Sequence, residues 1–100
     1  MAQQSVFLIC CELLANSGPL REEGYAGAFV TCIVATEDIV EAIQLAKKTL
    51  AEDGYLVADI DKANRFESEE WEHDTEICSI VSDVLADRQP RYSSFDVWGH

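Results

Sequence analysis

Residues 5–14 read Ser-Val-Phe-Leu-Ile-Cys-Cys-Glu-Leu-Leu, and residues 28–35 read Ala-Phe-Val-Thr-Cys-Ile-Val-Ala. Both stretches are rich in β-branched and aromatic residues, so each predicts a β-strand. The connection between them, residues 15–27, contains three glycines and other turn residues, which favours an antiparallel pair. Both strands are apolar on both faces, and this property governs how the rest of the chain must pack.

Residues 36–54 predict a helix. Thr36 is a candidate cap, and the acids at 37 and 38 suit the first turn, where the helix dipole favours negative charge. Gly54 is a candidate C-terminal cap. The core face is defined by apolar residues at helical spacing, namely Ile39, Ala42, Ile43, Ala46 and Leu50.

The second half of the chain predicts a strand, a helix and a strand. Residues 55–61 alternate well enough for a third strand, with Leu56, Ala58 and Ile60 on one face, and residues 62–67 form a polar connection. A second helix over residues 69–88 ends before Pro90, and its start is open between 69 and 74. A final strand follows over residues 92–98. The inward face of the second helix comprises Ile77, Cys78, Val81, Val84 and Leu85.

The predicted fold class is α+β, in one domain over residues 1–100. The element order β-β-α-β-α-β favours a two-layer α/β sandwich, with a four-stranded mixed sheet and two helices on one face. Because a helix joins the second and third strands, these two should run parallel if they share a sheet. No repeat or long linker divides the 100 residues.

The second face of this predicted sheet remains apolar and needs a cover. Large uncovered apolar faces are rare on monomers, so the pattern favours a homodimer or a protein partner docked on the sheet. The alternative is a cover made by residues 15–27 and the terminal aromatic side chains. Candidate interaction residues from the sheet face and the C-terminus are Leu8, Cys10, Val30, Cys32 and Trp98.

Charge excludes several classes of function. Nineteen acidic and seven basic residues give a net charge of -12, with -9 of it in residues 51–100. A nucleic-acid backbone or an anionic membrane surface would be repelled. The longest apolar run, residues 6–11, is far shorter than a membrane span. The sequence therefore predicts a cytoplasmic protein with reduced cysteines and no nucleic-acid or membrane partner. The excess of acid fits either a basic protein partner or plain solubility, which is its commoner role.

The densest charged feature is residues 67–76, in which six of ten residues are acidic. Its candidate interaction residues are Glu69, Trp71, Glu72 and His73, because a tryptophan among charges often anchors an interface. In one continuous helix, Glu69, His73 and Glu76 would share a face and could bind a divalent metal. A solvated helix face is the simpler interpretation, so no metal site is assigned.

Catalytic motifs are absent from the sequence, which contains no phosphate-binding loop, metalloprotease motif or nucleophile elbow. Asp59 and Asp61 alternate on the third strand and could divide acid and base roles. No basic residue adjoins a cysteine in the sequence, so no thiol is expected to have a lowered pKa. Arg88, Arg91 and Tyr92 form a small basic-aromatic cluster. No cofactor is expected.

The favoured function is a non-enzymatic protein-interaction domain that self-associates or docks on a partner through its apolar sheet face. One alternative is a small enzyme or ligand-binding protein with a pocket between the sheet and residues 15–27. A second alternative is an acidic immunity-type or inhibitor-type protein for a basic target.

Overall fold

The computed structural model describes residues 5–15 and 19–99. Within these ranges the α+β class predicted from the sequence is confirmed, with five strands and four helices. In chain order they are β1 (Val6–Leu14), α1 (Pro19–Glu22), β2 (Gly27–Ala35), α2 (Ile39–Glu52), β3 (Val57–Arg65), α3 (Ser68–Trp71), α4 (Thr75–Asp87), β4 (Arg91–Tyr92) and β5 (Asp96–Trp98).

The sheet has β1 at its centre and is antiparallel at every pairing, so the prediction of a mixed sheet is wrong. The strand order is β3-β1-β2, and both β4 and β5 pair with the outer edge of β2. The β1–β2 pair runs from Val6 opposite Ala35 to Leu14 opposite Gly27. As the crossover predicted, β2 and β3 run in the same direction. They are not neighbours, because β1 lies between them.

The predicted final strand is two short strands, which raises the count from four to five. The backbone N–H of Ser93 donates to the carbonyl of Thr31 at 2.8 Å. In return, the Thr31 N–H donates to the Ser93 hydroxyl at 3.1 Å. A side chain thus replaces a backbone acceptor, and pairing resumes at Asp96. The pattern of apolar residues in a sequence does not indicate where a side-chain oxygen will replace a backbone acceptor.

β3 lies later in the chain than predicted and carries two irregularities. Its register against β1 shifts twice, which leaves Ala58 and Asp61 as extra residues. Each bulge reverses the alternation of side chains, so the predicted face of Leu56, Ala58 and Ile60 is wrong. Leu56 precedes the strand and is 60% exposed. The strand residues that pack inward are Val57, Ile60 and Ala63.

The helices differ from the prediction at their ends. Asp38, not Thr36, caps α2: its carboxylate accepts from the Val40 N–H at 2.9 Å, while the Thr36 hydroxyl donates to Glu41 at 2.7 Å. The predicted helix over 69–88 is two helices, and Asp74 caps the second by accepting from the Ile77 N–H at 3.0 Å. No helix in the described ranges is long and apolar enough to cross a membrane.

The two long helices lie on opposite faces of the sheet, so the prediction that they share one face is wrong. Successive side chains of β1 point to opposite sides. Its odd-numbered residues face α2, and Val6 and Leu8 face α4. The buried residues of the α2 core are Phe7, Ile9, Cys11, Leu13, Leu20, Ala28, Val30, Cys32, Val34, Ala42, Ala46 and Leu50. Those of the α4 core are Val6, Leu8, Ile33, Ile77, Val81 and Val84.

Candidate functional site

The site begins where α4 stops covering its face of the sheet. Val6, Leu8 and Ile33 contact the α4 core, and all three lie toward one end of the β1–β2 pair. The remainder of this face, which no helix within residues 5–15 and 19–99 covers, is called the open half of the sheet. Residues directly opposite in paired strands share a face. By this register, its members are Cys10, Glu12, Leu14, Phe29, Thr31, Asp59, Lys62, Asp96 and Trp98.

One end of the open half is aromatic. Leu14 is 42% exposed and Phe29 is 38% exposed, although both belong to strands of the sheet. The Trp98 ring lies beside Phe29, with the ring centroids 4.9 Å apart and the planes tilted by 40°. Leu14, Phe29 and Trp98 together are called the aromatic end.

A glycine provides the room for this arrangement. Trp98 pairs with Gly27 across the β2–β5 ladder. A Cβ at Gly27 would overlap the Trp98 ring and lie 2.5 Å from the Leu13 carbonyl oxygen. The indole therefore covers a position where only glycine fits, as aromatic residues do beside glycines in sheets.

The other end of the open half is a groove of about 370 Å³ beside α3. Three of its lining residues come from β3, beginning at the Asp61 bulge. Trp71, at the end of α3, contacts the α4 core and borders the groove. The full lining of this Trp71 groove is Leu8, Cys10, Thr31, Asp61, Lys62, Asn64, Glu70 and Trp71.

The open half and its groove are strongly negative. Lys62 is the one basic residue among the members given above for the two regions. Because field lines add over a surface, this region attracts cations beyond the general effect of the -12 chain. The carboxylates are those of Glu12, Asp59, Asp61, Glu70 and Asp96.

The thiol in the groove is not an activated nucleophile. Burial raises the pKa of Cys10, and the nearby Asp61 carboxylate raises it further, while Lys62 opposes the shift. The more deeply buried Cys32 is also neutral, because a hydrogen bond with Cys11 and burial raise its pKa. Thiolate is the reactive form, so both thiols are poor nucleophiles near neutral pH. The prediction that no thiol has a lowered pKa is wrong at Cys11, where a hydrogen bond with Cys32 lowers the pKa, but this side chain is fully buried in the α2 core.

The structure separates the predicted sheet-face residues into two groups. Val30 and Cys32 are buried in the α2 core, because they lie opposite Cys11 and Ile9, and so they cannot line the open half. Leu8 is buried at the edge of α4, where it also borders the groove. Cys10, predicted on the same face, lies half-buried beside it. The predicted interaction residues therefore do not form one surface: only Leu8 and Cys10 lie on the face that carries the open half.

The acidic residues of 67–76 do not form one surface. Glu69 belongs to α3, His73 lies in the turn after it, and Glu76 belongs to α4, so the continuous helix face needed for a metal site does not exist. Glu69, Glu72 and His73 are exposed, and His73 lies 3.6 Å from Glu72. Among the described residues, no three metal-ligating side chains are grouped together.

The remaining candidates have structural partners. Glu76 accepts a hydrogen bond from the Ser94 backbone N–H at 3.1 Å. Arg91 pairs with Asp87. Arg88 ends α4 in the left-handed conformation, with φ of 62°. The Tyr92 hydroxyl donates to Asp53 at 2.5 Å. In the basic-aromatic cluster, the side chains of Arg91 and Tyr92 are therefore already bound to carboxylates of this chain.

The groove described above is not the pocket predicted between the sheet and residues 15–27. Leu20 is buried in the α2 core and Tyr25 packs against it, so the described part of this segment lies on the α2 side. Residues 16–18 lie outside the described residues. The Trp71 groove lies on the other side of the sheet, next to α3.

Several site residues escaped the sequence prediction. Leu14 carried a usable signal, since strand alternation places it on the same face as Cys10. Phe29 did not, because only its pairing with Glu12 places it on that face. Lys62 and Asn64 carried none, because the bulge at Asp61 hides the continuation of β3. Glu70 was known only as part of an acidic run.

No family model, characterised protein or solved structure matches this chain.

Proposed function

We propose that this protein is a non-enzymatic interaction domain that docks a basic protein partner on the open half of its sheet. The observation that carries the proposal is the aromatic end, where two large apolar strand residues are exposed beside Trp98. Scattered apolar residues on a surface need no explanation, whereas a contiguous group on a flat sheet face is typical of an interface.

The apolar residues would supply affinity. Full burial of a side chain such as leucine or phenylalanine is worth about 1.5–3 kcal/mol. Leu14 and Phe29 have already lost part of their exposure, so each contributes a fraction of that amount. Tryptophan is prominent among the residues that dominate interface energies, and Trp98 is already held in place against Phe29.

Charge selects the partner. A second copy of this chain would place the same five carboxylates opposite one another, with only Lys62 to offset them on each side. A basic partner instead pairs with these groups and is steered toward them before contact. An acidic inhibitor of a basic target would be one form of such a protein, whereas a homodimer is the less favoured occupant.

The open half offers little chemistry for an enzyme. The Cys10 pKa is raised, and the residues that line the Trp71 groove include no histidine. Its carboxylates lie on an exposed strand and a short helix, without a base and a nucleophile arranged as a pair. The groove therefore supports recognition better than catalysis.

The proposal is tested by NMR titration with two synthetic amphipathic peptides, one of leucine and lysine and one of leucine and glutamate. The lysine peptide should shift the amide signals of Leu14, Phe29 and Trp98, and the glutamate peptide should not. Phe29→Ala, which adds no charge, should weaken binding of the lysine peptide about three- to sevenfold, the effect expected for the part of Phe29 that is still exposed.

Val40→Ala is the matched control, because Val40 is 58% exposed but belongs to α2 on the other side of the sheet. If Val40→Ala weakens binding as much as Phe29→Ala, docking on the open half is contradicted. Light scattering tests the other occupant. A dimer of the 11.1 kDa chain that Phe29→Asp returns to monomer would replace the basic partner by a second copy.

A further inference from the structure

We infer that the Trp71 groove is the pocket for an arginine side chain of the basic partner, with the guanidinium beside the Trp71 indole and the carboxylates of Asp61 and Glu70. This inference rests on the proposed function and deepens it, because it names the side chain that anchors the partner. The groove continues the open half along β1, so one docked surface can reach both regions.

The lining of the groove suits an arginine along its whole length. Leu8 and Cys10 provide a surface for the aliphatic stem, which arginine buries while its charged head stays at a polar rim. The volume of about 370 Å³ leaves room for a long side chain and water. Thr31 and Asn64 add polar groups to the same lining.

The two carboxylates are available for a ligand. Within residues 5–15 and 19–99, the side chains of Asp61 and Glu70 form no hydrogen bond or ion pair in the structure. Lys62 also lines the groove, so the charges of Asp61, Glu70 and Lys62 sum to -1. A single cationic head group balances that charge.

The planar tryptophan favours arginine over lysine. A guanidinium stacks on an aromatic face and presents five donors in a rigid plane, so it can contact the indole and two carboxylates together. A lysine ammonium is more strongly hydrated and loses more on entering a groove. Trp71 is held against the α4 core, which keeps its ring in position.

The experiment is an NMR titration of the full chain with N-acetylarginine amide, observed through the indole N–H signals. The chain has two tryptophans, so Trp98 serves as an internal reference, and Trp71→Phe assigns the two signals. The Trp71 signal should shift in a saturable way, and N-acetylcitrulline amide should leave it unchanged. N-acetyllysine amide should bind more weakly than the arginine compound.

Variants test the carboxylates. Asp61→Asn and Glu70→Gln should each weaken the binding of N-acetylarginine amide about two- to fivefold, the range expected for an exposed ion pair. Glu69→Gln is the control, since Glu69 is exposed on the same helix but does not line the groove. Its affinity should be unchanged.

Three results would overturn the arginine pocket: a silent Trp71 signal, equal shifts with citrulline or lysine, or an equal loss of affinity with Glu69→Gln. The leucine–lysine peptide separates this failure from that of the proposed function. If that peptide still shifts the Leu14 and Phe29 amide signals while N-acetylarginine amide leaves the Trp71 signal unchanged, the arginine pocket is contradicted and docking on the open half is retained. If the peptide shifts neither the Leu14 nor the Phe29 signal, docking on the open half is contradicted.

Discussion

At Gly27 the sheet depends on the absence of a side chain. The Gly27→Ala variant would press its methyl group against the Trp98 ring and the Leu13 carbonyl. We expect the free energy of unfolding to fall by about 1–3 kcal/mol, the usual effect of overpacking, measured by urea denaturation. In a Trp98→Ala background the same substitution should be less costly, and an equal cost in both would contradict the role of the ring.

Tyr92 predicts how stability responds to alkaline pH. Burial, followed by the hydrogen bond to Asp53, raises the pKa of Tyr92 well above the ordinary value of about 10. Above about pH 10 the unfolded chain loses this proton while the folded chain keeps it, so stability falls as pH rises toward the folded pKa.

The test is the slope of unfolding free energy against pH above about 10. Tyr92→Phe should make the decline shallower. It should not abolish the decline, because the pKa of Tyr55 is also raised by burial and by the nearby Glu23 and Asp53. Identical slopes in the wild type and the variant would show that the pKa of Tyr92 is not raised in the folded protein.

Within one strand, the sequence alone predicts which residues share a face, because successive side chains point to opposite sides. Alternation places Leu14 with Cys10 and Phe29 with Ile33, and the β1–β2 register agrees. The sequence could not settle which face of β2 carries Val30, because Thr31 is the only polar side chain in this strand and is a weak marker of the exposed face. Register against a neighbouring strand, which the sequence does not encode locally, resolves the choice.

Among the elements, the break between α3 and α4 depends on one carboxylate. Asp74 accepts from the Ile77 N–H and so begins α4 after the turn. Asp74→Ala should lower the free energy of unfolding by about 0.5–2 kcal/mol, and Asp74→Asn should retain most of the stability. Thermal or urea unfolding of both variants would measure this difference.

Asp83→Ala is the control, since Asp83 is an exposed residue within α4 and not at its N-terminus. A loss from Asp83→Ala as large as that from Asp74→Ala would assign the effect to general charge instead of capping.

The elements were predicted well where local signals agree. β1 and β2 are runs of β-branched and aromatic residues and α2 has apolar residues at helical spacing, and the bounds of all three differ from the prediction by a few residues. The predictions failed at β3, α3 and the C-terminal strands, where bulges and side-chain hydrogen bonds interrupt the pattern. The side of the sheet that each helix covers was also missed, because the two-sided apolar strands allow either arrangement.

For the whole molecule, the net charge of -12 opposes the compact state through self-repulsion. Added sodium chloride screens this repulsion, so the Tm should rise with ionic strength. A gain of about 1 kcal/mol would raise it by about 4–8 °C for a domain of this size. The Tm is measured by calorimetry in sodium chloride, because sulfate would also raise it by strengthening apolar burial in general. A Tm that falls or stays constant would contradict this prediction.

Within the described residues, the chain crosses to the α4 side of the sheet once, between β3 and β4. Strand pairing holds that excursion at both ends, so a local opening that released α3 and α4 together would leave β1, β2 and α2 assembled. Such a local opening would expose Val6, Leu8 and Ile33 and extend the open half across the full length of β1. A partner that captured the opened form would bind a surface that the closed protein never displays, and its affinity would be reduced by the rarity of that form.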